Sequence, residues 1–209
     1  RIYSRSIKID MSIKKGDSKY DANFTAGGLL LNEFLNLQDV ILDEEILDIL
    51  KSEEEENLYV GIDTIAARKR ILSEIKRRIK FTDAEFWDLF NSVSEQHKKI
   101  MLFYLVLKTY PLIWELHFEV AYKKFLIGAE LDTYSISLFL DSVASKDDYV
   151  GGWSDSTLDK LNTQYRKVLT DCGMLDENVL RPVYGLNTEF WNYFQEIGEK
   201  WFIKACFNE

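Results

Sequence analysis

Residues 100–107 read IMLFYLVL, the most hydrophobic run in the chain. Lys108 ends this run, Pro111 follows it, and Glu115 interrupts the next apolar stretch. A membrane span needs roughly 20 apolar residues in a row, and this run is far shorter. It therefore predicts a helix that is buried on all sides in a protein core. We expect a soluble protein with no membrane partner.

Composition favours long helices around a sizeable core. The chain has 209 residues, 46% of them hydrophobic and 14% aromatic, with only two prolines and ten glycines. This balance predicts an all-α multi-helix bundle, with room for one short β-hairpin or wing near the C-terminus. Cys172 and Cys206 are too few for a disulfide framework, so we expect buried, reduced thiols and a cytoplasmic location.

Three segments are predicted along the chain. Residues 1–23 form a basic N-terminal arm, residues 24–147 a helical bundle core, and residues 154–209 a C-terminal helical subdomain with winged-helix features. The sequence DDYVGGWS at residues 147–154 is the clearest loop and the best candidate boundary. One final helix is expected over residues 188–207.

The first helices of the core are predicted from caps and apolar spacing. The sequence FTAGGLLL at residues 24–31 predicts a helix that begins near Thr25, with Gly27 and Gly28 in its first turn. Glycine costs a helix about 0.5–1 kcal/mol relative to alanine, so we expect another segment to pack closely there. A second helix is predicted over residues 44–51, and the glutamates at residues 53–56 are predicted to form a solvated helix end or loop.

The sequence RKRILSEIKRRIK at residues 68–80 is strongly basic, although the net charge of the chain is −9. It holds seven basic residues and one acidic residue, and its apolar residues recur at helical spacing. The cations are therefore predicted to project from a rigid helix. One exposed stripe carries Lys69, Lys76 and Lys80, a second carries Arg70 and Arg77, and Arg78 lies on the other side.

A basic helix in an acidic protein indicates either an anionic partner or an internal acidic counterpart. Lysine and arginine stripes can follow a nucleic-acid backbone, and the lack of asparagine and glutamine on them argues against base reading. Residues 33–56 hold ten acids and one base, which makes them the natural internal counterweight. Arg68 falls within the apolar arc, and we expect it to be partly buried and paired with a carboxylate.

No catalytic or metal-binding motif is apparent in the sequence. His97 and His117 are isolated, and neither lies in an HExxH motif or a cluster of cysteine and histidine. No nucleophile has a recognisable partner, and no pair of acids stands out as general acid and base. We therefore expect no enzymatic activity, no catalytic residues, no metal and no cofactor.

Four segments in order resemble the BrxA family of bacteriophage-exclusion (BREX) phage-defence systems. They are FTAGGLLLNEF at 24–34, ARKRILSEIKRRI at 67–79, LKTYPLIWELHFEVAYKKF at 107–125 and LTDCGML at 169–175. The resemblance implies a helical fold similar to that of the antitermination factor NusB, association with DNA, and other defence-system proteins as partners. The family has also been labelled an inner-membrane protein, which the short apolar run does not support.

The resemblance also implies a nucleic-acid-binding surface on this chain. Its residues on the basic helix would be Lys69, Arg70, Lys76, Arg77, Arg78 and Lys80, and the N-terminal arm would add Arg5, Lys14 and Lys15. We therefore expect a non-enzymatic, sequence-tolerant component of a BREX system that associates with double-stranded DNA.

Two alternatives stay open. In the first, the chain is a protein adaptor or homo-oligomeric scaffold whose basic helix meets an acidic protein partner. In the second, it binds RNA, as a NusB-like fold would suggest. The sequence leaves the oligomeric state and the defence step undecided.

Overall fold

The structure, a computed structural model, describes residues 16–186 and 188–208 and is all-α apart from one small hairpin. The prediction of an all-α multi-helix fold is confirmed. The first half holds helices α1 (Leu31–Asn36), α2 (Ile46–Glu56), α3 (Ile65–Arg78), α4 (Ala84–Ser92), α5 (Glu95–Thr109) and α6 (Pro111–Leu116). The second half holds α7 (Lys123–Leu126), α8 (Thr133–Ala144), α9 (Asp148–Gly151), α10 (Asp155–Asp171), β1 (Leu175–Asp176), β2 (Val179–Leu180), α11 (Thr188–Glu196) and α12 (Trp201–Ala205).

Helix α5 lies at the centre of the core. Every side chain from residue 100 to residue 107 is at most 2% exposed, as the apolar run predicts. Helices α1, α3, α4 and α6 all contact it. Because neighbours cover residues 100–107, this part of the helix has no polar face, and its burial contributes to the hydrophobic stabilisation of the bundle.

The prediction of a helix that begins near Thr25 is wrong. A short 3₁₀ turn covers Asn23–Ala26, and α1 begins only at Leu31. Between them Gly28 and Leu30 both adopt left-handed backbone conformations, with φ of 59°. The expected close packing is present, since a Cβ on Gly28 would lie 2.1 Å from the side-chain nitrogen of Gln164. The glycine therefore permits an irregular connection that lies against α10.

Pro111 occupies the first turn of α6, where its missing N–H is not needed. The helix continues through a π-helical segment, His117–Tyr122, into α7. His117 is fully buried in this segment, and its Nε2 lies 2.8 Å from the Ala205 carbonyl oxygen. A carbonyl only accepts, so Nε2 carries the proton, and Nδ1 accepts from the Tyr165 hydroxyl at 2.8 Å. The neutral ring thereby joins α10 and α12.

The C-terminal part of the chain differs from the prediction in two places. The segment at 147–154 contains the helical turn α9, which the Asp147 carboxylate caps by accepting from the Val150 N–H. The final helix is divided into α11 and α12, because Gly198 has a left-handed φ of 81°. The hairpin is present, with Leu175 opposite Leu180. The three predicted domain segments stay a prediction.

No helix in residues 16–186 and 188–208 combines the length and apolarity that a membrane crossing requires.

Candidate nucleic-acid interface

Helix α3 carries the predicted cations of the basic helix except Lys80, which lies in the 3₁₀ turn Ile79–Phe81 that follows it. The Thr64 side chain caps α3 by accepting from the Ala67 N–H at 3.3 Å. Its inner face packs on the core through Ile71, Leu72 and Ile75, each at most 9% exposed. The opposite face points outward, so the rigid helix fixes the spacing of the lysine and arginine side chains.

The first stripe of cations faces the end of helix α2. Lys69 Nζ lies 2.7 Å from Glu55, and Lys76 Nζ lies 2.9 Å from Glu54. Hydrogen bonding to Glu55 raises the pKa of Lys69, and hydrogen bonding to Lys76 lowers the pKa of Glu54. The end of the acidic segment is therefore the internal counterpart of Lys69 and Lys76 in this stripe. The Lys69–Glu55 pair is exposed and contributes little stability. The Lys76–Glu54 pair is more enclosed, so removing one of its two charges destabilises the protein more.

The second stripe, Arg70 and Arg77, bonds residues 21–25, which lead into the 3₁₀ turn Asn23–Ala26. Arg77 forms ion pairs with Asp21 at 2.8 Å and with Glu74 at 2.9 Å. Although burial opposes the charged form, these carboxylates raise the pKa of Arg77. Two turns earlier the exposed Arg70 donates to the Thr25 hydroxyl at 3.0 Å. The two arginines thus fasten residues 21–25 to α3, and only Arg77 does so with carboxylates.

Arg78 is a correction to the predicted binding surface. Its side chain is fully buried, and its guanidinium donates to the Gly28 and Leu29 carbonyls at 2.6 and 2.8 Å and to the Tyr110 hydroxyl at 3.1 Å. Tyr110 in turn donates to the Glu74 carboxylate at 2.7 Å. The guanidinium cannot reach a phosphate from this position, so its role is to hold the irregular glycine segment.

Arg68 is buried as expected, but its partners differ from the prediction. It donates to the backbone carbonyls of Glu54 and Glu55, at 2.9 and 3.3 Å, and to the Ile62 carbonyl at 2.7 Å. The first two are unsatisfied carbonyls at the C-terminus of α2, where a cation is favourable. The sequence could not show this, because the observed α2 extends five residues beyond its predicted end.

Glu53, on the same end of α2, is a buried carboxylate that the sequence did not single out. It accepts hydrogen bonds from the N–H groups of Leu58, Tyr59 and Val60 at 2.7–2.9 Å. These bonds fold the loop after α2 back onto the helix. The glutamate run is therefore a structured helix end that bonds both the loop and α3.

Of the predicted cations on the basic helix, Arg70 in α3 and Lys80 in the 3₁₀ turn that follows it are exposed and have no carboxylate partner in the described part of the chain. Lys69 is also exposed, with its ammonium shared with Glu55. Lys76 and Arg77 are partly buried in ion pairs. Arg5, Lys14 and Lys15 lie outside the described residues. The available cationic surface on the body of the protein is therefore smaller than the sequence predicts.

The site has no arrangement typical of metal chemistry. Over the described ranges, no group of three or more His, Cys, Asp or Glu side chains could hold a metal ion. Burial raises the pKa of the Cys172 and Cys206 thiols, which disfavours the reactive thiolate form.

Comparison with known proteins places the chain in a family. An uncharacterized protein from Magnetospirillum magneticum of known crystal structure is similar in fold, with a TM-score of 0.72. The match covers 90% of this chain and 97% of that chain at 23% identity, a level that shows the fold alone. Residues 18–198 match the model of the BrxA family. The chain belongs to the BrxA family.

A curated relative supports the BrxA assignment. The BREX protein BrxA of Bacillus cereus (strain H3081.97) is 25% identical over 150 residues, which make up 69% of this chain and 74% of that protein. The BrxA match spans both the basic helix and the hairpin, so most of the described fold, and not one motif, carries it.

Proposed function

We propose that this chain is a non-enzymatic component of a BREX phage-defence system that associates with double-stranded DNA without reading its sequence. Membership of the BrxA family and the name of the Bacillus cereus relative support the defence role. The observation that carries DNA association is an exposed cationic edge, formed by Lys69 and Arg70 on α3 and by Lys80 just beyond the C-terminal end of this helix. Other proteins of the defence system would be its partners and would supply the chemistry.

The geometry limits how many phosphates the body of the protein can contact. Arg70 uses one N–H on a neutral hydroxyl and keeps other donors free for a phosphate oxygen. Lys69 can exchange Glu55 for a phosphate at little cost, because exposed ion pairs contribute little stability. Arg77 and Lys76 stay on the protein. Glu54 and Glu55 border the edge and repel phosphate, which favours weak association that needs low salt.

The N-terminal arm would supply further cations for the proposed DNA contact. Described residues 18–21 lead toward α3, where Asp21 pairs with Arg77. The preceding residues 1–15 hold five bases and one acid. Contacts from Arg5, Lys14 and Lys15 would extend the short edge on α3, since each neutralised phosphate adds to the affinity.

Charge reversal at Arg70 and Lys80 tests this proposal. The double variant Arg70→Glu/Lys80→Glu is expected to weaken retention of a duplex in a low-salt gel shift at least about tenfold, because two charge-assisted phosphate contacts become repulsive. The matched control is Lys160→Glu/Lys204→Glu, which reverses two exposed lysines elsewhere and makes the same change in net charge. Equal retention by wild type and the first variant would contradict the proposal.

A second candidate function is that of a protein adaptor. Four large apolar side chains are more than half exposed around α7 and α8, namely Leu126, Ile127, Tyr134 and Leu138. Exposed apolar side chains of this size are typical of protein contacts. Sedimentation at low salt with and without a duplex separates the adaptor from the DNA-associating protein, because an adaptor sediments as the same species whether or not the duplex is present.

RNA binding is distinguished by competition. Single-stranded RNA should not displace a duplex from a surface that is specific for double-stranded DNA.

A further inference from the structure

Helix α8 turns two large apolar side chains to solvent in its first half. Tyr134 is 71% exposed and Leu138 is 55% exposed. The two residues are one helical turn apart and lie on the same face, whereas Ile136 and Leu140 point into the core and are at most 1% exposed. Adjoining apolar side chains on one outer face are typical of a docking surface.

The N-terminal arm begins at a fixed point near the other end of α8. The Ser18 hydroxyl donates to the Asp147 carboxylate at 2.8 Å, and Asp147 lies shortly after the end of α8. Lys19 forms an ion pair with Glu115 at 2.6 Å, and the Tyr20 hydroxyl donates to the same carboxylate at 2.8 Å. Three contacts therefore hold residues 18–20, and the arm leaves from beside α8.

The arm is long enough to reach the exposed face of α8. Leu138 precedes Asp147 by nine residues, which corresponds to about 13 Å along the helix axis. The five residues from Ser18 back to Ile13 span up to about 17 Å when extended. This leaves a margin of about 4 Å for the turn at residues 16–17. Ile13 can therefore reach Leu138.

The sequence of the arm has the apolar period that such a contact requires. Every second residue from 7 to 13 is apolar, namely Ile7, Ile9, Met11 and Ile13. In an extended segment these side chains leave one face about 6.6 Å apart, and helical residues four positions apart are separated by about 6 Å along the axis. Successive apolar side chains of the arm can therefore contact Leu138 and then Tyr134. The alternate positions are polar: Lys8, Asp10, Ser12 and Lys14.

Tethering favours the arm over a separate chain as the occupant of this face. Because residue 18 is bonded beside α8, the apolar residues of the arm stay near the face at an effective concentration on the order of millimolar. A second copy or another protein must first meet the same face by diffusion and then compete with a segment that is already attached. The chain's own arm is therefore the expected occupant.

We propose that residues 7–13 of the N-terminal arm dock in extended form along α8 of the same molecule and cover Tyr134 and Leu138. The apolar side chains of the arm face the helix. Lys14 stays on the outer side, where it remains available for the phosphate contacts proposed above. A protein partner that used this face would have to displace the arm. Docking needs no DNA, so it goes beyond the proposed function and is tested without a duplex.

Disulfide trapping in the full chain tests the docking directly. Ile13→Cys is combined with Leu138→Cys, and the variant is oxidised gently at low protein concentration. We expect most of the protein to form a disulfide within one chain, which mass spectrometry identifies and a non-reducing gel shows as a monomer. The native Cys172 and Cys206 are fully buried and do not compete. The matched control combines Ile13→Cys with Leu58→Cys, an exposed leucine in the loop after α2, and should not form this bond.

Three results of the trapping experiment would overturn the proposal. The first is that no disulfide forms at position 138. The second is equal trapping at Leu58, which would show random collision of the arm with the surface. The third is a disulfide that joins two chains and grows with protein concentration, which would show that a second copy supplies the arm.

Limited proteolysis gives a second readout that needs no introduced cysteine. Trypsin cuts after lysine, and docking should protect the bond after Lys8. The variant Tyr134→Ser/Leu138→Ser should be cut there about tenfold faster than wild type, because the apolar contacts that hold the arm are lost. The matched control Leu47→Ser/Leu58→Ser changes leucines that are 56% and 70% exposed near α2, and it should be cut like wild type. Equal cutting of wild type and the Tyr134/Leu138 variant would contradict the docking.

Discussion

Replacing Arg78 with methionine is expected to lower the free energy of unfolding by about 3–5 kcal/mol. Methionine fills a similar volume but cannot donate to the carbonyls of Gly28 and Leu29, which Arg78 reaches at 2.6 and 2.8 Å. Each charge-assisted hydrogen bond contributes about 1.5–3 kcal/mol. The loss also leaves two carbonyls unbonded in a segment where Gly28 and Leu30 have left-handed backbone conformations. Urea unfolding followed by circular dichroism measures the change.

Arg70→Met is the matched control for this prediction. It makes the same chemical change on the same helix, at an exposed side chain whose only hydrogen bond within the described residues is to Thr25. Its expected effect is within about 0.5 kcal/mol. A similar, small loss of stability in both variants would show that the buried arginine does not hold the glycine segment.

Stability is expected to fall by about 2–3 kcal/mol between pH 7.5 and pH 4.5 because of His117 alone. Burial lowers the pKa of His117 to about 4, whereas the unfolded chain takes up a proton near the ordinary value of 6.5. The folded-state pKa is depressed, so the neutral ring contributes stability that is complete above pH 6.5. That stability is lost as the pH falls toward 4, because only the unfolded state binds the proton. Thermal melts across this range measure the loss.

The His117→Gln variant separates the contribution of His117 to the pH dependence of stability from that of the carboxylates. Glutamine keeps one donor and one acceptor for the Ala205 carbonyl and the Tyr165 hydroxyl, but it does not titrate. Its stability should therefore fall less steeply with acid than that of wild type. His97→Gln serves as the control and should retain most of the wild-type slope. Parallel slopes for wild type and His117→Gln would contradict the assignment.

The fold was predictable where composition and periodicity agree. The apolar run in α5 is buried throughout, Pro111 begins a helix, and the turn after α10 forms the hairpin. The prediction failed at glycines, because glycine is compatible with both a helix and a left-handed break. Tertiary contact decides between them: the approach of Gln164 fixes the break at Gly28. The spacing of residues in the sequence does not predict the contact between Gln164 and Gly28.

The sequence predicted where the candidate cations lie on the helix, but it did not predict which of them are free to bind a ligand. Helical spacing shows which side chains leave α3 on the same face, and it does not show what lies opposite them. The four glutamates form the last turns of α2 and so place Glu54 and Glu55 beside Lys76 and Lys69. Reversing Lys76 or Arg77 would therefore bring like charges together inside the protein. Of the predicted cations that are exposed on the described chain, Arg70 and Lys80 can be changed without breaking an ion pair.

The salt dependence of duplex association tests the central claim most directly. Six phosphate contacts, three from Lys69, Arg70 and Lys80 and three from Arg5, Lys14 and Lys15, give a slope of log K against log salt of about −5. Removing two contacts with Arg70→Gln/Lys80→Gln should reduce it to about −3.5. A slope near zero, or the same steep slope in that variant, would contradict association through the exposed edge of α3.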